Sequence, residues 1–207
     1  FQAYFGKIGL YGSVRDVYEL KPLSTDSLLM QREGALYKFG ADGSAEFSET
    51  RGGITYGWKG GYVGLVRDHV RWGYGYYGTN IFDINTAPFA QLKLHLNPTP
   101  WFKFDYIHGS LQSDVVDSSS IANVGGVNTF DYFNKYIAAN MFSFRPWNPL
   151  WLSFGNSIIY SSQTPEPTFF IPVLFYKSAD HYLNSRNNRA GGNAQMFGSF
   201  SFRPIKK

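Results

Sequence analysis

The chain has no cysteine, which excludes thiolate metal sites, disulfides and cysteine nucleophiles together. The same absence suits an envelope protein that avoids oxidation. Long apolar runs are missing too. The stretch from Thr168 to Tyr176 is short and interrupted by Pro172, so insertion as a spanning helix is not expected. No charged segment followed by an apolar one precedes Phe1; an exported protein would here be mature or, as we expect, cut from something longer. Charge is sparse, at 16% of residues, with a formal net of +4 and a pI near 9.1. Apart from Lys206 and Lys207 the basic residues are scattered singly, a pattern that points away from a nucleic-acid partner.

What the chain does have is aromatic residues, 19% of the total with 15 Tyr and 19 Phe, together with 22 Gly and 10 Pro. That balance favours strands with one apolar face over a charged soluble surface. Its 207 residues fit one all-β domain spanning 1–207, with no shift of composition to mark a boundary.

Period-two alternation recurs along the chain, as expected where one face of a strand meets lipid and the other a lumen. Residues 91–96 put Leu92, Leu94 and Leu96 on one face and Gln91, Lys93 and His95 on the other. After the turn Asn97-Pro98-Thr99-Pro100, the segment 101–111 sets Phe102, Phe104 and Tyr106 opposite Lys103 and Asp105. The two make a hairpin. A second pairs 135–145 with 150–160 across Pro146-Trp147-Asn148-Pro149, where the prolines interrupt the ladder. A third joins 45–59 to 62–70 across Gly60-Gly61, and further strands are expected at 4–15, 36–39 and 195–203.

Short turns at Gly60, Asn97 and Asn148 alternate with long connections at 71–90, 112–134 and 161–194. Outer-membrane barrels keep short turns at the periplasmic rim and long loops outside, which orients the chain. Trp58, Trp101, Trp147 and Trp151 stand beside the short turns, where an interfacial aromatic girdle is expected. Roughly nine strands are counted. Single-chain bacterial barrels usually close with an even number, so the expectation is an incomplete part of a larger antiparallel transmembrane β-barrel.

The densest cluster of unusual residues is Arg67-Asp68-His69-Val70-Arg71-Trp72-Gly73-Tyr74-Gly75, followed by Asn80, Ile81, Phe82, Asn85, Ala87 and Pro88. With the Leu-rich strand after it, this segment resembles Wzi-type capsule-assembly barrels and the related gliding-motility outer-membrane proteins. There, a charged strand end runs into Trp-Gly-x-Gly and an Asn-Ala-Pro turn. This chain reads Asn-Thr-Ala-Pro at 85–88, one residue longer. The resemblance continues through Tyr136-Ile137-Ala138-Ala139, Ile159-Tyr160, the Pro-containing loop 170–176 and Asn187-Asn188, and covers about residue 62 to the C-terminus.

The resemblance implies a barrel of the bacterial outer membrane with a plugged or narrowed lumen. Such a protein would attach or assemble surface polysaccharide, or serve surface motility and secretion machinery with other outer-membrane proteins as partners. It would be embedded in membrane lipid, non-catalytic and free of cofactors. A diffusive porin is the alternative.

The cluster also has a reading of its own. Several charges at one strand end belong inside a barrel or at its rim, because facing hydrocarbon would be costly. Gly73, Gly75 and Gly78 permit turns that fold the connection inward as a constriction. Trp72, Tyr74, Tyr76 and Tyr77 are candidates for stacking on sugar faces. The candidate ligand residues are therefore Arg67, Asp68, Arg71, Trp72, Asn80 and Asn85. The competing reading is that the charges pair to hold an inward loop and the aromatics belong to a girdle. Asn187, Asn188 and Arg189 read as turn residues.

Catalytic chemistry finds little support. His69, His95, His108 and His181 have no ligand spacing for zinc. Asp68-His69 and Asp180-His181 are sequence neighbours that would face opposite sides of a strand, a poor geometry for a catalytic dyad. Gly73 to Gly78 matches Gly-x-Gly-x-x-Gly but lacks the strand and helix context of dinucleotide binding. The polar stretch 110–128 is expected to be a flexible surface loop.

Overall fold

A computed structural model describes residues 1–20, 35–39, 41–75, 79, 81–84, 86–111, 113, 115–187 and 191–203. The strands are β1 (Gln2–Phe5), β2 (Ile8–Glu19), β3 (Ala35–Phe39), β4 (Ala45–Trp58), β5 (Gly61–Asp68), β6 (Phe89–Thr99), β7 (Phe102–Leu111), β8 (Ala122–Val124), β9 (Val127–Thr129), β10 (Lys135–Trp147), β11 (Leu150–Ser161) and β12 (Asn193–Phe202). Among the described residues one α-helix, α1 (Tyr176–Asn187), precedes β12. The main sheet runs β1-β2-β4-β5-β6-β7-β10-β11-β12, with β3 added beside β4. Every pairing is antiparallel. Among the described residues no pairing joins β1 to β12, so the sheet is open.

Four two-residue turns lie at one end, at Gly6-Lys7, Lys59-Gly60, Pro100-Trp101 and Asn148-Pro149. Each is tied to the strand beyond its own hairpin. The amides of Gly57, Asn97, Arg145 and Arg203 donate to the carbonyls of Lys7, Gly60, Trp101 and Pro149, at 2.7 to 2.9 Å. The long connections all fall at the other end, as their lengths in the sequence indicate. The expected single strand over 4–15 is instead a hairpin, because Gly6 takes a φ of 61° and pairs Phe5 with Ile8. The turns expected over 97–100 and 146–149 are narrower than anticipated. Both strands run through their proline, and the register shifts at Leu96/Thr99 and Phe144/Trp147 accommodate a residue with no amide to donate.

The register sorts side chains into two unlike faces. One row across the sheet reads Leu10, Ile54, Leu65, Leu92, His108, Ala138, Ile158, Ala194. The next reads Ile8, Tyr56, Val63, Leu94, Tyr106, Asn140, Asn156, Met196. Nearer the short turns come Trp58, Gly61, Leu96, Phe104, Phe142, Phe154 and then Phe102, Phe144, Leu152, Phe200 in the same pairings. This face is apolar and much of it is uncovered: Leu65 is 63% exposed, Phe154 55% and Phe200 71%. The opposite face carries Lys93, His95, Lys103, Asp105, Ser143, Ser153 and Ser157, with His95 bonded to Asp105 at 2.7 Å and Ser143 to Ser153 at 2.7 Å.

Two connections hold structure that alternation does not reveal. The stretch expected to be a flexible loop contains a 3-10 turn at Ser118–Ser120 and the β8–β9 hairpin. Its turn residues Gly125 and Gly126 both take positive φ, as a two-residue hairpin turn requires. The connection after β11 carries α1, a correction to a purely β reading. The helix is held by Tyr176, Ala179 and Leu183, spaced along one helical face and packed on Tyr106, Ile158 and Tyr160.

Gly53 marks a close approach of β4 and β5. A Cβ there would lie 2.7 Å from the Leu65 carbonyl oxygen and 2.6 Å from Val66 Cγ1. Gly53→Ala is expected to destabilise the sheet by about 1–3 kcal/mol, the usual cost of overpacking, read as a lower urea midpoint of unfolding.

Candidate functional site

The end of β5 is built around two carboxylates. Asp68 accepts a hydrogen bond from the Tyr11 hydroxyl on β2 at 2.8 Å and another from the His69 amide at 2.8 Å. Arg51 on β4 reaches Asp68 at 3.9 Å and the buried Glu49 at 3.1 Å. His69 then spans Glu49, 3.6 Å from Nε2, and the Thr86 carbonyl, 2.7 Å from Nδ1. Buried charges persist only when paired and hydrogen-bonded. The network therefore fixes the point where the chain leaves β5 and the point near Thr86 where it returns to β6.

Between those points the connection crosses the polar face of the sheet. Val70 and Trp72 are buried against Ile107 of β7 and Ala139 and Met141 of β10. Trp72 meets Phe82 edge-on at 5.0 Å and Phe197 of β12 at 6.3 Å. The backbone of the connection closes on itself through the Trp72 amide, which donates to the Phe82 carbonyl at 3.1 Å. Gly73, at φ 111°, turns the chain towards the short-turn end. There Tyr74 packs on Trp151, 5.8 Å between centroids, and Lys103 and Arg145 sit over the Trp151 ring. Burial, and after it the nearby Asp105 carboxylate, pushes the Tyr74 hydroxyl above the ordinary phenol range.

Of the six residues singled out in the sequence, the four described ones do not form one pocket. Asp68 belongs to the ion network on the polar face. Arg67 is its neighbour on the strand and turns to the other face, where Nε donates to the Thr50 carbonyl at 3.0 Å. Arg71 is exposed and donates to the Gly75 carbonyl at 2.8 Å. Trp72, at 4% exposure, is a core residue with no free face for a sugar. Asn80 and Asn85 lie outside the described residues, as do Tyr76, Tyr77, Gly78, Asn188 and Arg189. Asp180 and His181 sit on a helix rather than a strand; the Asp180 carboxylate accepts the Gly192 amide at 3.1 Å and holds the turn into β12. Of the four turn-side tryptophans, Trp58, Trp101 and Trp147 are exposed. Trp151 instead belongs to the polar face beneath Tyr74.

The cleft that the sequence did not reveal lies at the long-connection end. It has a volume of about 1060 Å³ and is lined by residues that include Asp117, Asp131, Tyr132, Phe133, Gln163 and Glu166. The Asp117 amide donates to the Asp131 carbonyl at 2.8 Å within the β7–β10 connection, and Asn134 Nδ2 donates to the Gln163 carbonyl at 3.1 Å, which ties that connection to the one after β11. Tyr132 and Phe133 keep nearly half their surface open. The Ser119 hydroxyl and amide, donating at 2.6 and 2.9 Å, hold the Asp117 carboxyl below the usual carboxylate range. Exposed rings beside carboxylates, amides and hydroxyls can stack on and hydrogen-bond a polyhydroxylated ligand. The Gly-Gly pair and the Asp-Ser-Ser turn at 117–119 were the available signals for an ordered loop.

The fold defines a predominantly antiparallel β protein with one apolar and one polar face. Comparison of the chain with protein-family models, curated proteins and solved structures found no match in any of the three.

Trp72→Ala is expected to cost about 3–5 kcal/mol, as for other buried tryptophans, and to release the connection, read as protease cutting within 70–84 under conditions where the native chain is intact. Ser119→Ala is expected to raise the Asp117 titration midpoint towards the ordinary value of about 3.9, measured by NMR. Because the folded carboxyl titrates below its unfolded value, its contribution to stability is present above that ordinary value and disappears as the pH falls through the folded one.

Proposed function

We propose that this chain forms part of the wall of a bacterial outer-membrane β-barrel whose lumen is occupied by the β5–β6 connection, and that its long-connection end attaches or helps to assemble a surface polysaccharide without catalysis. The observation that carries this reading is the pairing of an exposed apolar face with a polar face that receives an inward-folded connection. Contiguous exposed apolar surface of this extent marks an interaction with lipid or protein. An antiparallel sheet satisfies its backbone groups between strands, which is what hydrocarbon demands of a spanning structure. On β6 and β7, Leu92, Leu94, Leu96, Phe102, Phe104 and Tyr106 alternate with Lys93, His95, Lys103 and Asp105, the two-faced pattern that lipid and lumen require.

The polysaccharide assignment is supported by the resemblance of the segment from Tyr62 onwards to capsule-assembly barrels and by the rim cleft with its open Tyr132 and Phe133 rings. A diffusive porin would share the two-faced sheet but needs an open lumen. Trp72, Phe82 and Tyr74 on the polar face argue for a blocked one.

In planar bilayers the native protein is expected to give no steady conductance, and replacement of 70–84 by a Gly-Ser linker to create it. Stable conductance from the native protein would favour the porin. Tyr132→Ala with Phe133→Ala is expected to weaken retention on immobilised capsular polysaccharide by about tenfold or more, from the loss of two stacking contacts, while heat-modifiable mobility in gels is kept. Unchanged retention would remove the rim cleft from the assignment.

A further inference from the structure

The apolar face of the sheet has a polar interruption, formed by His108, Tyr106, Asn140, Asn156 and Tyr160 on three adjacent strands. Residues 166–176 lie over it as an irregular strap that includes a 3-10 turn, Pro167–Phe170. The polar side chains beneath are spent on the strap's backbone. Tyr106 donates to the Phe169 carbonyl at 3.0 Å. Asn140 Nδ2 donates to the carbonyls of Pro172 and Leu174 at 2.8 and 2.9 Å. Asn156 Oδ1 accepts the Tyr176 amide at 2.8 Å, and the Tyr160 hydroxyl accepts the Glu166 amide at 3.1 Å. The strap also bonds within itself, from Phe169 to Glu166, Ile171 to Thr168 and Leu174 to Ile171, and prolines at 167 and 172 have no amide to satisfy. His108 lies beneath the Phe170 ring, 4.0 Å between centroids.

Above this polar layer the strap turns apolar side chains outward. Phe170, Ile171, Val173 and Phe175 are 42 to 66% exposed. The row that holds Asn140 and Asn156 continues directly into Met196, 72% exposed, and Phe154 lies in the row below. The strap's outer surface is thus continuous with the exposed face of the sheet.

We propose that the strap 166–176 is a lipid-contacting element, an irregular segment laid on the outside of the sheet and covered by the acyl chains that cover the exposed part of the apolar face. Irregular backbone is excluded from hydrocarbon because its polar groups go unpaired. Here Tyr106, Asn140, Asn156 and Tyr160 supply partners from below for the carbonyls of Phe169, Pro172 and Leu174 and the amides of Glu166 and Tyr176. This assignment also accounts for two asparagines in the middle of an otherwise apolar row, where a polar group without a partner costs several kcal/mol. The inference rests on the membrane reading proposed above and identifies one more surface that faces lipid.

The absence of cysteine makes a single introduced thiol unique in the described sequence. The full-length protein carrying Val173→Cys is spin-labelled, reconstituted in phosphatidylcholine vesicles, and its collision rates with oxygen and a water-soluble nickel chelate are compared. Leu65→Cys on the open sheet face and Val127→Cys on the exposed β9 strand are the lipid and water references, and Ile171→Cys stands in should the Val173 variant not assemble. Position 173 is expected to match position 65, with oxygen favoured over nickel. Adding Asn140→Ala should shift position 173 towards nickel by freeing the strap. If 173 matches 127 while 65 stays in lipid, the strap is aqueous and this inference fails although the barrel stands. If both reagents are excluded at 173, the strap is covered by protein and the inference also fails. Nickel access at 65 and 173 together would overturn the membrane reading itself.

Discussion

The antiparallel register is the constraint on which everything else in this protein rests. Successive side chains on a strand point to opposite faces, so a slip of one residue in any pairing would exchange an apolar set for a polar one. The short turns fix that register strand by strand, and the amides of Gly57, Asn97, Arg145 and Arg203 bind each turn to the strand beyond it. The bulged steps at Pro98 and Pro146 fall beside the turns, where the ladder absorbs a missing donor without disturbing the rows above.

Given two faces of opposite character, the residues that break the rule show where the long connections go. The polar face carries an apolar patch of Ile107, Ala139, Met141 and Phe197, and the β5–β6 connection brings Val70, Trp72 and Phe82 to it. The apolar face carries Tyr106, Asn140, Asn156 and Tyr160, and the connection after β11 brings carbonyls and amides to them. Each misfit is resolved by a segment distant in sequence. The groups at the end of β5 belong to the same logic: Arg51 pairs with Asp68 and Glu49, His69 links Glu49 to the Thr86 carbonyl, and together they fix where the connection starts across the polar face.

Much of the sheet is legible from local pattern. The alternation of Leu92, Leu94 and Leu96 against Gln91, Lys93 and His95, and the lengths of the connections, place strands and turns with errors of a residue or two. The hairpin at Gly6 escaped because its two arms continue one another's pattern. The helix escaped because only Tyr176, Ala179 and Leu183 mark its buried face, within a loop dense in polar residues. The cluster at 67–75 is a charged strand end feeding a turn across the polar face, but adjacency in sequence did not amount to adjacency in space. Arg67 and Asp68 are separated by the thickness of the sheet, and Trp72 is consumed by packing.

Sequence alone determined the strand period, the turns near Gly60, Asn97 and Asn148 and the existence of two chemically distinct faces, because these follow from neighbours within a few residues. Tertiary structure decided which face each described connection covers, that Trp72 is core and Trp151 lies under Tyr74, that the connections after β7 and β11 enclose a cleft, and that Asn140 and Asn156 serve the backbone of a strap 32 to 34 residues from Asn140 and 18 to 20 from Asn156. Those outcomes depend on contacts across strands, where hydrogen-bond and packing partners are chosen by register and not by sequence separation.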